Sequence, residues 1–353
     1  YYDAADHLGV LPVNDQSLVA SMADTLGYEL DARFEIQSSS GMLPFPSPCS
    51  VRECLSRFCD LTGPLQPSHL RQLANYAKSP TDRSILLNLA SLDLDFQKKI
   101  YQERVGIADI CMNLPSVRPP LAEFIALCPR LKPHFYTISS SSMVHPKEIH
   151  MTVSITTYTR QNQSIFRGVC SHYLSRQQQL GSRIRAFVRP SSFTLPLDPM
   201  TPIIMVAAGS GIAPMRAFLQ ERQHLREEKL LNVGPSILYF GCKKARLDYL
   251  YQDELKNYLK SGDLTRIHLA FSQQQSHKVY VQDLLREQAK DTADWITLEN
   301  ASIFVCGKEE MGQSIEETIK SILCKETSMD AKEALEYFAT MRMNGRYTEE
   351  LWN

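Results

Sequence analysis

The stretch TPIIMVAAGSGIAP, Thr201–Pro214, decides how the rest of the chain reads. Ile203, Ile204, Met205 and Val206 run without a polar residue into Gly209-Ser210-Gly211, and Ala213-Pro214 then opens an amphipathic segment. An apolar run, a glycine turn and a helix start together read as a buried strand, a tight turn and a helix N-terminus. Backbone N–H groups at such a turn can face an anion, and the helix dipole favours negative charge there. The glycines let a ligand approach the backbone. The spacing in GSGIAP is shorter than G-x-G-x-x-G, so the dinucleotide fingerprint is not met. On this stretch alone an ordinary strand–helix turn reads equally well.

From Thr201 onward strands and helices alternate. The apolar runs predict strands at Ile203–Ala207, Ser236–Phe240, Arg266–Phe271 and Ser302–Cys306. Periodicity predicts helices over Pro214–Lys229, Tyr249–Leu259, Val281–Gln288, Met311–Leu323 and Asp330–Met341. This βαβ rhythm implies a parallel sheet covered on both faces, whose ligands sit beyond the strand C-termini. The residues placed there are Gly209-Ser210-Gly211, Gly241-Cys242-Lys243, Ser272-Gln273 and Cys306-Gly307. Four such turns point to a nucleotide crevice. Ser272–Tyr280 (SQQQSHKVY) offers a hydroxyl, Lys278 and the Tyr280 ring within nine residues. A 2′-phosphate needs donors and positive charge, and an adenine needs a flat surface; a solvated surface lysine is the plain alternative for Lys278. Cys306 reads either as a small buried hydrophobe or, if the crevice is real, as part of it.

The first two hundred residues read differently. His7–Leu11 has a short strand pattern stopped by Pro12, with His7 either a ligand contact or a hydrogen-bonded strand-edge histidine. Residues 15–131 read as mostly helical. Asp15 caps a helix through Leu26, Ser50 caps one carrying Val51, Cys54, Leu55 and Phe58, and Ser68 starts one with Leu70, Leu73 and Ala77. Ser84–Ala108 alternates apolar clusters with charges, and Leu121–Cys128 is a last short helix after Pro119-Pro120. Ser38–Pro48 (SSSGMLPFPSP) is a loop. Residues 132–199 turn β-prone at Phe135–Ile138, Ile149–Tyr158 and Ile184–Val188, which predicts a small antiparallel barrel. Within it Gly168-Val169-Cys170-Ser171 reads as a second helix N-terminus able to seat an anion.

Bulk composition narrows the function. Hydrophobic residues make up 43% of the 353 and charged residues 22%, ordinary for a globular protein of two or three domains. A net charge of −1 gives no reason to expect nucleic acid or a membrane surface as partner. No apolar run approaches the ~18 residues of a membrane helix. Nine scattered cysteines without a C-x-x-C pair argue against a zinc site or a disulfide framework, and for a reducing compartment. The start at Tyr1, without methionine and within a strand pattern, reads as a fragment of a longer chain.

Taken in order, PHFYTISSS (133–141), GVCSHYL (168–174), FVRPSSFTLP (187–196), TPIIMVAAGSGIAP (201–214), YFGCKKARLDYLYQDEL (239–255), AFSQQQSHKVYVQ (270–282), VCG (305–307) and GRYTEELW (345–352) resemble the ferredoxin–NADP⁺ reductase module of the diflavin reductases. The resemblance covers essentially the whole chain. It implies a multidomain α+β and α/β fold: an antiparallel β-barrel FAD domain with a helical insert, then a doubly wound parallel-sheet NADP-binding domain. Residues 1–14 would be residual barrel strands, 15–131 the helical connecting domain, 132–199 the FAD barrel and 200–353 the NADPH domain.

The resemblance also implies roles. Tyr136 would stack on the FAD isoalloxazine, and Thr137 stands at the family's serine near flavin N5. His134, Phe135, Thr152 and Tyr158 match further flavin positions, and Gly168, Val169, Cys170 and Ser171 would hold the FAD pyrophosphate. Ser210, Lys243, Ser272, Gln273, Lys278, Tyr280 and Gln282 would bind NADPH. Cys306 and Glu350 would flank the nicotinamide, and Trp352 would cover the flavin and swing aside. The catalytic set is then Thr137, Cys306, Glu350 and Trp352, without a metal. Hydride would pass from NADPH to FAD. In the longer parent, electrons would continue through FMN, in a separate N-terminal domain, to a haem protein of the cytochrome P-450 type. That parent would sit on the cytoplasmic face of the endoplasmic reticulum, and this segment would be soluble.

Three positions depart from the family. Arginine is usual at His134 and at Gln273, and aspartate is common at Glu350. Loss of the fixed fork of donors at Gln273 weakens 2′-phosphate recognition. Sulfite reductase and methionine synthase reductase flavoproteins are alternatives within the class. A degenerate scaffold, binding a partner through its helical insert, is the alternative outside it.

Overall fold

In a computed structural model that describes residues 1–37, 43–91, 96–177 and 179–352, the apolar run ahead of Gly209 folds as strand Ile203–Ala208. It is the central member of a five-stranded parallel sheet ordered Arg266–Phe271, Ser236–Cys242, Ile203–Ala208, Ser302–Lys308 and Tyr347–Trp352. Alternate residues of these strands enter two separate cores. Ile203, Met205, Ala207, Leu238, Phe240 and Phe304 face one, with Met215 and Phe218 of helix Ile212–Glu227 and Leu255 of helix Gln252–Ser261. Ile204, Val206, Ile237, Tyr239, Ile303 and Val305 face the other, with Leu285, Ile315, Ile319 and Phe338 from three further helices. A strand buried on both faces must be apolar at every position, which is why this one appears as an unbroken run.

The chain leaves the central strand for Ser236–Cys242 and Arg266–Phe271 on one side, then crosses to Ser302–Lys308 on the other. The strand order reverses between Ile203–Ala208 and Ser302–Lys308, and a crevice outside the strand C-termini lies at such a reversal. The Gly209–Gly211 turn is one 3₁₀ turn, and the helix starts at Ile212, so Pro214 stands in the first helical turn, where its missing N–H costs nothing. Asp330 caps the last helix by accepting from the Lys332 and Glu333 amides, while Glu333 accepts from the Asp330 amide.

The chain divides into two units: Tyr1–Leu8, Tyr136–Val153 and Val188–Asn353 form one, and Gly9–Phe135 with Ser154–Phe187 the other. The second unit is built on short helices: Gln16–Leu26, Val51–Arg57, Pro67–Ala74, Pro80–Leu89, Ile107–Asn113 and Leu121–Leu127. Asp15 and Ser50 cap the first two by accepting from the Ser17 and Glu53 amides. Met22, Leu55, Leu61, Leu70, Leu73 and Phe124 close over one core. A two-stranded antiparallel pair joins Thr157–Thr159 to Ile165–Arg167. His134–Thr137, His7–Leu11 and Arg185–Arg189 form a three-stranded sheet with His7–Leu11 in the middle, and the chain passes between the units within each of these strands.

Several local expectations are corrected. Ser68 does not start its helix: Pro67 takes the first helical position behind Gln66, and Ala77 lies beyond the helix, bridged to Val117. Ile149–Tyr158 is not a continuous strand, because only Met151 bridges to Ile138 and only Thr157 onward pairs. Its β-branched residues lack a partner strand, and β-propensity follows packing. The polar sequence YTEELW is a full strand, and a helix at Ala289–Thr297 follows directly on Val281–Glu287. Part of the Ser38–Pro48 loop (residues 38–42) and part of Ser84–Ala108 (residues 92–95) lie outside the described residues.

Candidate functional site

Three strand ends meet at Gly211. In the sheet register Ala207 pairs with Cys306, Cys306 with Glu350, and Lys308 with Trp352. A Cβ on Gly211 would lie 2.2 Å from the Cys306 carbonyl oxygen and 3.2 Å from Trp352 Cη2, so only glycine lets the turn, the strand end and the indole pack together. Gly209 has φ +55°, and the space its side chain would occupy is empty to 4 Å.

Glu350 is clamped on both oxygens. The Thr137 hydroxyl donates to Oε2 at 2.8 Å. The Ser191 hydroxyl donates to Oε1 at 3.0 Å, and His7 Nε2 lies 2.5 Å from the same oxygen. The Ser191 amide in turn donates to Asp6 Oδ1 at 2.9 Å, which ties the Ser191 loop to the chain start. A polar cavity of about 480 Å³ opens beside this carboxylate, bounded by His7, Arg189–Phe193 and Thr348–Glu350. Cys306 is buried at the same strand end, and burial pushes its thiol well above its ordinary range, with the Glu350 charge adding to the effect. It stays a neutral thiol, a wall rather than a nucleophile.

The nucleotide-side residues lie on neighbouring strand ends. Ser210 is half-buried in the turn. The Ser272 amide donates to the Cys242 carbonyl at 3.0 Å and the Gln273 amide to the Lys243 carbonyl at 2.9 Å, so the two loops continue side by side past their strands. Lys243, Gln273 and Lys278 are exposed. Tyr280 holds the start of helix Val281–Glu287, its amide donating to Asp283 Oδ2 at 2.9 Å, and leaves its ring exposed; Gln282 is half-buried one turn in. In the same unit Tyr136 and Thr152 are half-buried, with Thr152 Oγ1 2.6 Å from the Tyr251 hydroxyl.

The remaining flavin-matched residues belong to the helical unit. His134 and the 40%-exposed Phe135 precede the crossing into the other unit, and the Phe135 ring meets Phe187 edge-on at 5.9 Å above Gly9. The Tyr158 hydroxyl donates to the Gln102 carbonyl at 3.0 Å. Gly168 starts helix Val169–Ser175, and a Cβ there would lie 2.8 Å from Thr156 Cβ. Ser171 accepts from the Thr156 amide at 3.1 Å, and Cys170 and Ser171 are buried.

Two groups of this cluster are not among the residues that the motifs single out: Ser191, and His7 as the partner of Glu350. Ser191 stands inside the quoted FVRPSSFTLP motif, and His7 sits on the short strand at the opposite end of the chain from Glu350. Nothing local in either stretch signals a contact with Glu350.

The family model described as "FAD binding domain" matches residues 1–173, and that described as "Oxidoreductase NAD-binding domain" matches residues 205–317. The chain therefore carries FAD-binding and NAD-binding oxidoreductase domains of the ferredoxin–NADP⁺ reductase family. It is similar over 100% of its length to NADPH–cytochrome P450 reductases: 35% identical to that of Homo sapiens, 35% to that of Mus musculus and 36% to that of Drosophila melanogaster. The chain spans only about half of these relatives, 54%, 54% and 53% of their lengths.

Proposed function

We propose that this chain is the NADPH-oxidising, FAD-containing part of a diflavin reductase. The observation that carries the reading is the Glu350 clamp at the strand-order reversal, beside Gly211, Cys306 and Trp352. The residues fit the two cofactors. Gly209 opens onto free space, Tyr280 and Trp352 present exposed flat rings, and Lys243 and Lys278 form no ion pair with a described residue. NADPH supplies the hydride and bound FAD the two-electron acceptor.

The protein contributes orientation and charge. Lys243, Ser272, Lys278 and Tyr280 would hold the adenosine end and its 2′-phosphate, and Ser210 the pyrophosphate. Gly168–Ser171 would seat the FAD pyrophosphate, with His134, Phe135, Thr152 and Tyr158 along the cofactor and Tyr136 under its ring. Thr137 and Glu350 would fix the reacting edge, where a clamped carboxylate favours the positive charge that develops on the nicotinamide. Cys306 gives a neutral wall. Trp352, 37% exposed on the last strand, is a cover that a nicotinamide can displace.

Electrons would pass on to an FMN domain of the longer protein, as the sequence resemblance implies, and then to a P450-type haem protein, the acceptor that the relatives' name gives for them. The endoplasmic reticulum location belongs to the same proposal. No described helix is long and apolar enough to cross a membrane. The helical region 15–131 would set the spacing between flavin domains.

The test is optical. Purified protein shows an oxidised-flavin spectrum that NADPH bleaches, and it reduces ferricyanide but barely reduces cytochrome c. A colourless protein that FAD cannot reconstitute removes the proposal.

A further inference from the structure

The loop after strand Ser236–Cys242 carries cations that the residue matches do not fully use. Lys243, Lys244 and Arg246 are exposed and form no ion pair with a described residue, and Lys278 stands in the next loop. The single acid in the two loops is Asp248. Its oxygens accept from the Lys243 and Lys244 backbone amides, at 2.8 and 2.7 Å, so it curls the loop and forms no ion pair with a described cation. The two loops are stitched together twice, by the Gln273 amide on the Lys243 carbonyl at 2.9 Å and by the Ala245 amide on Gln274 Oε1 at 3.0 Å. Arg246 therefore starts one residue from the Ala245 amide, which is fixed to the Gln274 side-chain oxygen beside Gln273.

We propose that Arg246 supplies the guanidinium contact to the cofactor's 2′-phosphate that an arginine at position 273 would otherwise make. This rests on the NADPH reading above. A phosphate is matched by a planar fork of donors, which a lysine point charge does not replace. Gln273 has no charge, and Arg246 is the arginine of the loop that is hydrogen-bonded to the Gln273–Gln274 loop. Lys243, Lys244 and Lys278 add field without setting direction.

The experiment is calorimetric titration of the flavin-containing protein with 2′,5′-ADP and with 5′-AMP, which isolates the 2′-phosphate without turnover. The wild type binds 2′,5′-ADP more tightly. Arg246→Ala lowers that preference about tenfold or more, the scale of a hydrogen bond to a charged group, and leaves 5′-AMP affinity within about twofold. Arg246→Ala/Gln273→Arg restores the preference, and Arg246→Lys restores only part of it. An unchanged preference in Arg246→Ala, with 2′,5′-ADP still bound tightly, overturns the assignment. A wild type that shows no preference removes the NADPH reading itself, and this assignment with it.

Discussion

In the proposed site, Glu350 is the residue that the hydrogen bonds converge on. It has one methylene more than the aspartate common in the family, and without restraint that length would let the carboxylate swing. Thr137, Ser191 and His7 hold it at both oxygens. A hydrogen bond to a charged group contributes about 1.5–3 kcal/mol, and Glu350 is half-buried. His7→Ala and Thr137→Ala should each slow flavin reduction by NADPH about tenfold or more, with little change in nicotinamide affinity, since the clamp sets orientation rather than binding. Stopped-flow bleaching of the flavin measures this. Wild-type rates in both variants would show that the clamp is packing without consequence.

At the scale of elements, the strand-order reversal works because its turn is narrow. Gly211 lets the Gly209–Gly211 turn lie against the end of Ser302–Lys308 and under the indole of Tyr347–Trp352. A methyl there meets a backbone carbonyl, which cannot rotate away. Gly211→Ala should lose about 1–3 kcal/mol of stability, the usual cost of overpacking, and should expose Trp352. Urea unfolding followed by Trp fluorescence reads both. A variant as stable as wild type, with an unshifted spectrum, would mean the strand ends have slack. The element evidence also shows where sequence is legible. Ile203–Ala208 could be read directly because double burial forces every position to be apolar. YTEELW could not, because its strand character comes from pairing with Ser302–Lys308 and not from its own composition. Ile149–Tyr158 misled for the converse reason: its residues favour strands, and no neighbour takes most of them up.

Across the whole molecule, stability should carry the mark of half-buried imidazoles. Burial lowers the titration of His69, His145 and His268, and Arg266 adds to the effect at His268 while Asp291 and Glu287 oppose it. His268 stacks on Tyr239 at 4.7 Å, and its buried Nε2 has no described hydrogen-bond partner. In the unfolded chain the ring takes up a proton near pH 6.5, in the fold only at lower pH. The unfolded state therefore binds more protons between those points, and stability falls as pH drops through 6.5. Burial raises Glu221 and contributes with the opposite sign at lower pH, so the histidine share is read as a difference. His268→Gln should flatten the decline in urea midpoint between about pH 7 and pH 5.5. Parallel curves for variant and wild type would show that His268 is equally easy to protonate in both states.

The alternating strands and helices, the glycine turns at the strand ends and the basic loops are legible along the chain, because burial on two faces and anion binding each restrict which residues can stand at a position. The family resemblance was likewise written in the order of short motifs. The convergence of His7, Thr137 and Ser191 on Glu350, the seat of Trp352 on Gly211 and the stitching of the Arg246 loop to the Gln273 loop come from the folded chain. Those neighbours come from distant parts of the chain, and their meeting depends on sheet order and register, which no local pattern of residues encodes.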